Sequence, residues 1–240
     1  MDVPATRYSI VAAVRSGDAE VRRTGLDALV AVYWKPVYKY LRVKWRLSGD
    51  DASDTTQEFF ARAIEKSFFV AFDPAKGRFR TFLRTCLDRF AANERKAAAR
   101  LKRGGGQSIV PLDFETAEGE LRQHDVAAPA DVDEYFHREW IRSLLALAVD
   151  DLRVEYARLG KTIQFRAFER YDLEAPASGA DVTYADIARE LGVSAADVTN
   201  YLSGARKTFR RFLLARLESV CGGRAEFEAE ARELLRGGFR

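Results

Sequence analysis

Between Asp50 and Ile64 the chain repeats apolar residues at the interval of a helix. At about 100° per residue, Ala52, Thr56, Phe59, Phe60 and Ala63 share one face, and Asp51, Asp54, Glu58 and Glu65 form a stripe on the other side. Thr55 lies at the border, one turn from Asp51 and Glu58. The aromatic face predicts burial in a core. The acidic stripe is either a solvated face or a docking surface. Upstream, Tyr8, Ile10, Val11 and Val14 predict a short helix over Thr6–Ser16, broken at Gly17-Asp18. Val21 to Trp45 then carries Leu26, Leu29, Val30, Tyr33, Val37, Tyr40 and Leu41 at helical spacing, with Pro36 marking a bend or a new helix. Ser48-Gly49-Asp50 is a turn from which Asp50 or Asp51 caps the acidic-striped helix.

Downstream, Phe68, Phe69 and Phe72 close that helix, and Asp73-Pro74-Ala75-Lys76-Gly77 is a loop. Phe79 to Arg100 resumes the helical period, with Phe79, Phe82, Leu83, Cys86, Leu87 and Phe90 as its buried face. Gly104-Gly105-Gly106 ends this part. Periodicity fades from Gln107 to about Asp133, which predicts a linker with one short helix near Glu115–Gln123. Helix returns over Glu134–Tyr156, ends at Gly160, and continues through Ile163–Tyr171. Ala175–Ala180 is a loop.

Thr183-Tyr-Ala-Asp186 has the form of a capping box with a short acidic partner, opening a helix through Ile187, Ala188 and Leu191. Gly192 makes a turn, and Ser194-Ala-Ala-Asp197 caps a second helix carrying Val198, Leu202, Phe209 and Leu213. Its other faces hold Arg206, Lys207, Arg210, Arg211 and Arg216. Helix, glycine turn and basic second helix is the layout of a major-groove reader. A short acidic helix over Glu226–Leu235 follows. The fold class predicted is all-α, with two helical domains joined by a long acidic linker.

The 240 residues, 47% apolar and 31% charged, are those of a folded chain rather than a disordered one. A net charge of +3 conceals segregation. Lys76, Arg78, Arg80, Arg84, Arg89, Arg95, Lys96, Arg100, Lys102 and Arg103 face only Asp88 and Glu94 between Lys76 and Arg103, whereas Asp113 to Glu134 is acidic. Basic residues beside Phe72, Phe79 and Phe82 suit single-stranded nucleic acid, which takes phosphate contacts plus stacking. A solvated surface is the plainer reading of such a helix. Cys86 and Cys221 show no pairing pattern, and with two histidines they form no metal motif. Cys86 falls in an apolar run and reads as a buried thiol. No signal peptide or membrane span is expected, and the chain reads as cytoplasmic.

Enzymatic chemistry finds no frame. Gly104–Gly106 lacks the lysine and hydroxyl of a phosphate loop, and no nucleophile elbow occurs. His124 and His137 fall in or beside the linker. A non-enzymatic chain without cofactor or small-molecule substrate is the expectation.

Two motif sets carry a resemblance. Asp51-Ala-Ser-Asp54-Thr-Thr-Gln57-Glu58-Phe59-Phe60, followed by Phe72-Asp-Pro-Ala-Lys-Gly-Arg-Phe79-Arg-Thr-Phe82-Leu83, resembles region two of an extracytoplasmic-function (ECF) sigma factor. Thr183-Tyr-Ala-Asp-Ile-Ala-Arg-Glu-Leu-Gly192-Val-Ser194 resembles region four of that family. The domains implied are 1–103 (region two with an N-terminal extension), 104–133 (linker), 134–220 (region four) and 221–240 (a C-terminal extension helix). The resemblance implies a promoter-specificity subunit. Region two would dock on the β′ clamp helices of core RNA polymerase through Asp51, Asp54, Gln57 and Glu58. It would open the minus-ten element with Phe72, Arg78, Phe79, Arg80, Arg84, Arg89, Asn93 and Lys96, holding an extruded base in a pocket. Region four would sit on the β flap and read promoter DNA at minus thirty-five through Ser194, Thr199, Asn200, Ser203, Arg206, Lys207 and Arg210.

Departures from the family pattern are informative. Ser53 stands where a glutamate is usual, and Thr55 stands at an apolar position, so the docking surface lacks a charge. Thr6-Arg-Tyr-Ser-Ile and Lys102-Arg-Gly-Gly-Gly resemble a subgroup with an extended N-terminus, long linker and C-terminal extension, in which a hydroxyl in the helix of Ser53 and Thr55 is associated with activation by a Ser/Thr kinase. Phosphate on Thr55, or secondarily Ser53, would restore about −1.5 to −2 of charge. Arg89 occupies the place of a usual asparagine, with Asn93 a turn later, and Gly204 replaces a usual arginine. Two other readings stay open: a helix-turn-helix DNA-binding regulator that does not engage polymerase, and a regulatory adaptor or anti-sigma partner.

Overall fold

A computed structural model describes residues 10–14, 16–98, 112–123 and 131–236. The predicted helix start at Thr6, the break at Gly104–Gly106, and His124 lie outside the described residues. All regular structure among those described is helical, without a strand, so the all-α expectation stands. The helices are α1 (Ile10–Ala13), α2 (Ala19–Lys44), α3 (Gly49–Glu65), α4 (Phe79–Ala98), α5 (Phe114–Gln123), α6 (Val132–Arg158), α7 (Thr162–Phe168), α8 (Ala175–Ser178), α9 (Tyr184–Leu191), α10 (Ala195–Val220) and α11 (Arg224–Arg236). Two 3-10 turns, Phe68–Ala71 and Pro74–Lys76, join α3 to α4, and a π-helical turn spans Glu169–Glu174. No described helix is long and apolar enough to cross a membrane.

Two compact units result, Met1–Ser143 with Leu217–Arg240, and Leu144–Arg216. The first unit runs past the expected boundary at residue 103, and the linker helix α5 packs within it. Phe114 of α5 packs against Trp34 and Tyr38 of α2 at ring distances of 5.4 and 5.1 Å. Glu118 receives Arg42 at 2.7 Å and Tyr38 Oη at 2.7 Å. Glu120 bridges Lys35 at 2.7 Å and Lys39 at 2.6 Å. Lys39 is itself buried and also meets buried Glu139 of α6 at 2.7 Å. The acids of the expected linker here supply partners for a basic face of α2.

Helix α2 begins at Asp18, whose carboxylate accepts from the amides of Glu20 and Val21. It then runs as one helix through Pro36, so no new helix opens there. A mid-helix proline removes one backbone bond at a cost of about 3 kcal/mol. Val32, Tyr33, Val37 and Tyr38 are each 1% exposed or less around it, so burial on both sides of the proline offsets that loss. Tyr33, Phe69, Phe72 and Phe79 continue this core as an aromatic cluster, with Phe72 and Phe79 edge-to-face at 5.1 Å.

In the second unit, Leu144, Leu152, Phe165, Phe168, Ile187, Val198, Leu202 and Phe209 form the core. Gly160 and Gly192 take φ of +68° and +66°, the left-handed turns that end α6 and α9. Ala175–Ser178, expected as loop, is one helical turn closed by Gly179.

Candidate functional site

Two surfaces, one on each unit, hold the residues of interest. On the first, α3 opens on a cap that the sequence pattern misplaced. Ser48, not Asp50 or Asp51, is the N-cap: its Oγ accepts from the Asp51 amide and donates to Asp51 Oδ2 at 2.7 Å. Ala52, Thr56, Phe59, Phe60 and Ala63 are buried as the periodicity requires. Asp51 and Asp54 are exposed on the opposite side, one turn apart. Glu58 is half-buried and paired with Arg62 at 2.6 Å, and Arg62 also reaches Glu94 at 2.7 Å. Burial opposes the charge on Arg62, but these two carboxylates outweigh it and raise the guanidinium pKa. The net negative end of the stripe is therefore its N-terminal half.

The hydroxyls separate as well. Thr56 is fully buried and donates to the Ala52 carbonyl at 2.7 Å, which makes it structural. Ser53 Oγ accepts from Gln57 Nε2 at 3.4 Å. Thr55 is half-buried, and its hydroxyl has no hydrogen-bond partner among the described residues.

Helix α4 departs from expectation. Phe72 and Phe79, expected to stack on unpaired bases, are 2% and 0% exposed and belong to the aromatic core. Neither offers a ring face to solvent. Arg78 meets Glu230 at 3.0 Å and Glu233 at 3.2 Å, and Arg80 pairs with Glu230 while stacking over Trp140 at 5.2 Å. Arg84 is held by Asp88 at 3.2 Å and Asp133 at 3.0 Å. Arg89 and Asn93 are exposed. The Lys96 side chain lies outside the described residues.

Arg89 and Asn93 line a groove of about 460 Å³ together with the apolar Phe68, Phe82, Cys86 and Phe90 and the cationic Arg62 and Lys66. Phe82 and Cys86 are thus half-exposed groove residues rather than core, whereas Cys221 is the buried thiol. Burial raises the Cys86 thiol pKa and Arg89 opposes it. Sequence periodicity missed Arg62 and Lys66, because their role depends on where the end of α3 meets the next helix. Apolar rings with Lys66 and Arg89 beside them suit a flat aromatic ring carrying a phosphate.

His137, Glu230 and Glu233 bring possible ligand atoms within 4.8 Å of one another. Both carboxylates already face Arg78 or Arg80, so the cluster is an ion-pair network.

The second surface is α9, Gly192 and α10. Thr183 and Asp186 form a full capping box. The Ser194 hydroxyl accepts from the Asp197 amide and donates to its carboxylate at 2.6 Å, while the Ser194 amide donates to the same carboxylate. Those hydrogen bonds lower the Asp197 and Asp186 pKa values. Ser194 therefore serves as a cap, and its hydroxyl is committed. Thr199, Asn200, Ser203, Lys207 and Arg210 are exposed along one flank of α10. Arg206, expected at a phosphate, is held in two-pronged fashion by Asp172 at 2.8–3.1 Å and lies over Tyr171. Lys207, Arg210 and Arg211 make no ion pair among the described residues, so the free positive charge sits on the outer face of α10.

Compared with known proteins, the chain matches no family model, no curated protein and no solved structure.

Proposed function

We propose that this chain is a sigma-type promoter-specificity subunit of bacterial RNA polymerase, resembling the ECF class and acting in the cytoplasm. The observation that carries the reading is the pair of capping boxes on either side of the Gly192 turn. They fix the starts of α9 and α10, and Thr199, Asn200, Ser203, Lys207 and Arg210 lie exposed on one flank of α10. Short polar side chains suit base edges in a major groove, and the cations suit the phosphates beside it. On the other unit, the groove edged by Arg89, Asn93, Arg62 and Lys66 suits an extruded base of an opened strand. Asp51 and Asp54 supply the acidic patch for the polymerase clamp.

Thr55 completes that patch when phosphorylated by a Ser/Thr kinase. It borders Asp51, Asp54 and Glu58, and the pairing of Glu58 with Arg62 leaves the patch short of charge. The same pairing favours the second reading, a helix-turn-helix regulator that binds DNA without polymerase. Affinity for core polymerase separates the two. Thr55→Glu binds core more tightly than Thr55→Ala, and Asp51→Lys with Asp54→Lys abolishes binding while leaving duplex DNA binding unchanged. Equal core affinity of Thr55→Glu and Thr55→Ala removes the switch, and no core binding by any form leaves the regulator.

A further inference from the structure

The acidic helix α11 had no assigned purpose in the sequence, and its position supplies one. Between Arg224 and Leu235 its buried residues are Glu230, at 2% exposure, and Leu234, at 9%. A surface helix normally buries an apolar stripe. Here the most buried side chain is a carboxylate, and it faces Arg78 and Arg80 at the start of α4. Glu233 adds a second contact to Arg78 at 3.2 Å. Glu226 accepts the Phe79 amide at 2.9 Å and the Gly222 amide at 2.7 Å, closing the first turn of α4. Burial pushes the Glu226 carboxyl pKa up in spite of those two donors, with Glu230 adding to the rise and Arg80 opposing it.

Carboxylate on guanidinium is the same chemistry as phosphate on guanidinium. Helix α11 thus satisfies Arg78 and Arg80 in the way a nucleic-acid backbone would, and of its apolar side chains Leu234 is buried while Phe227 and Leu235 are half-buried. We infer that α11 is an autoinhibitory strap: it occupies the arginines that open α4, and single-stranded nucleic acid must displace it to gain them. The inference rests on the reading of α4 as a nucleic-acid surface. In the closed state, the Arg89–Asn93 end of α4 stays open to a strand.

The test uses the full chain and a fluorescein-labelled single-stranded DNA of twelve nucleotides, read by anisotropy across a salt series. The variants are Glu230→Gln with Glu233→Gln, and separately Glu233→Arg, which alters an exposed residue and leaves the buried one intact. The double variant, which frees both arginines, is expected to bind at least about tenfold tighter than the parent chain, and Glu233→Arg, in which Glu230 still holds Arg78 and Arg80, to gain less. Freeing two arginines steepens the slope of log affinity against log salt by about 1.4, at roughly 0.7 per phosphate contact on a single strand. In the unaltered chain, saturating oligonucleotide should speed amide exchange across residues 224–236. If the parent binds as tightly as both variants and exchange in α11 does not change, the strap is wrong and the nucleic-acid reading stands. If neither parent nor variants bind, that reading fails and takes the strap with it.

Discussion

Replacing Lys39 with methionine tests the docking of the linker helix on α2. The ammonium sits between Glu120 at 2.6 Å and Glu139 at 2.7 Å, with the Lys39 and Glu139 side chains 4% and 3% exposed. Removing one partner of a buried pair costs about 3–5 kcal/mol, because the remaining charge stays desolvated. Glu139 keeps Arg142, whose side chain is half-exposed, and Glu120 keeps Lys35. Those remaining partners place the loss near the low end, about 3 kcal/mol. For a unit of this size, each kcal/mol moves the midpoint by about 2–4 °C, which gives a fall of about 6–12 °C. Trp34, Trp45 and Trp140 are the chain's three tryptophans and all belong to the first unit, so tryptophan fluorescence follows that unit alone. Lys39→Met with Glu139→Met should recover most of the loss, since no buried acid is then left without its amine. A single variant that melts within about 2 °C of the parent would refute the buried pair, and with it the packing of α5 against α2.

Further outcomes follow from individual residues. The His137 pKa is lowered from 6.5 by burial first and Arg80 next, with Glu233 and Glu230 opposing and Arg78 adding to the fall. A depressed folded pKa means the unfolded chain takes the proton first, so His137 contributes stability above pH 6.5 that is lost as pH falls through the lower folded value. The stability difference between the parent and His137→Gln should therefore shrink on acidification below pH 6.5 in urea melts, and a constant difference would count against the site. A Cβ added at Gly204 meets nothing closer than Tyr156 Oη at 3.9 Å, so Gly204→Ala should stabilise the second unit by about 0.5–1 kcal/mol in calorimetry. Ser194→Ala removes the cap of α10 and should cost about 1 kcal/mol by circular-dichroism melting. At Gly222 an added Cβ lies 2.5 Å from a ring carbon of Phe72, so Gly222→Ala should lower the midpoint of the tryptophan-monitored transition.

Local chemistry was legible in the sequence where the signal was local. The capping boxes at Thr183 and Ser194, the Gly192 turn and the buried face of α3 all follow from spacing within a dozen residues. Burial of Phe72 and Phe79 was not legible as such, because an aromatic beside arginines looks the same whether its ring meets a base or a core. Their burial depends on Tyr33 and Gly222, which are distant in sequence. Periodicity also says nothing about which acid meets which base. Glu230 and Arg80 are separated by 150 positions, and only the folded chain pairs them. The continuity of α2 through Pro36 was hidden for a related reason: the local cost of the proline is fixed, whereas the burial that offsets it comes from the whole first unit.

The central claim is promoter-directed initiation. Core bacterial RNA polymerase, given this protein as Thr55→Glu or phosphorylated at Thr55, should start transcripts at discrete positions on a pool of upstream DNA fragments. Those starts should vanish with Asp51→Lys and Asp54→Lys and weaken with Asn200→Ala. Binding to duplex DNA with no discrete starts, with or without the kinase, would contradict the account and leave a helix-turn-helix regulator in its place.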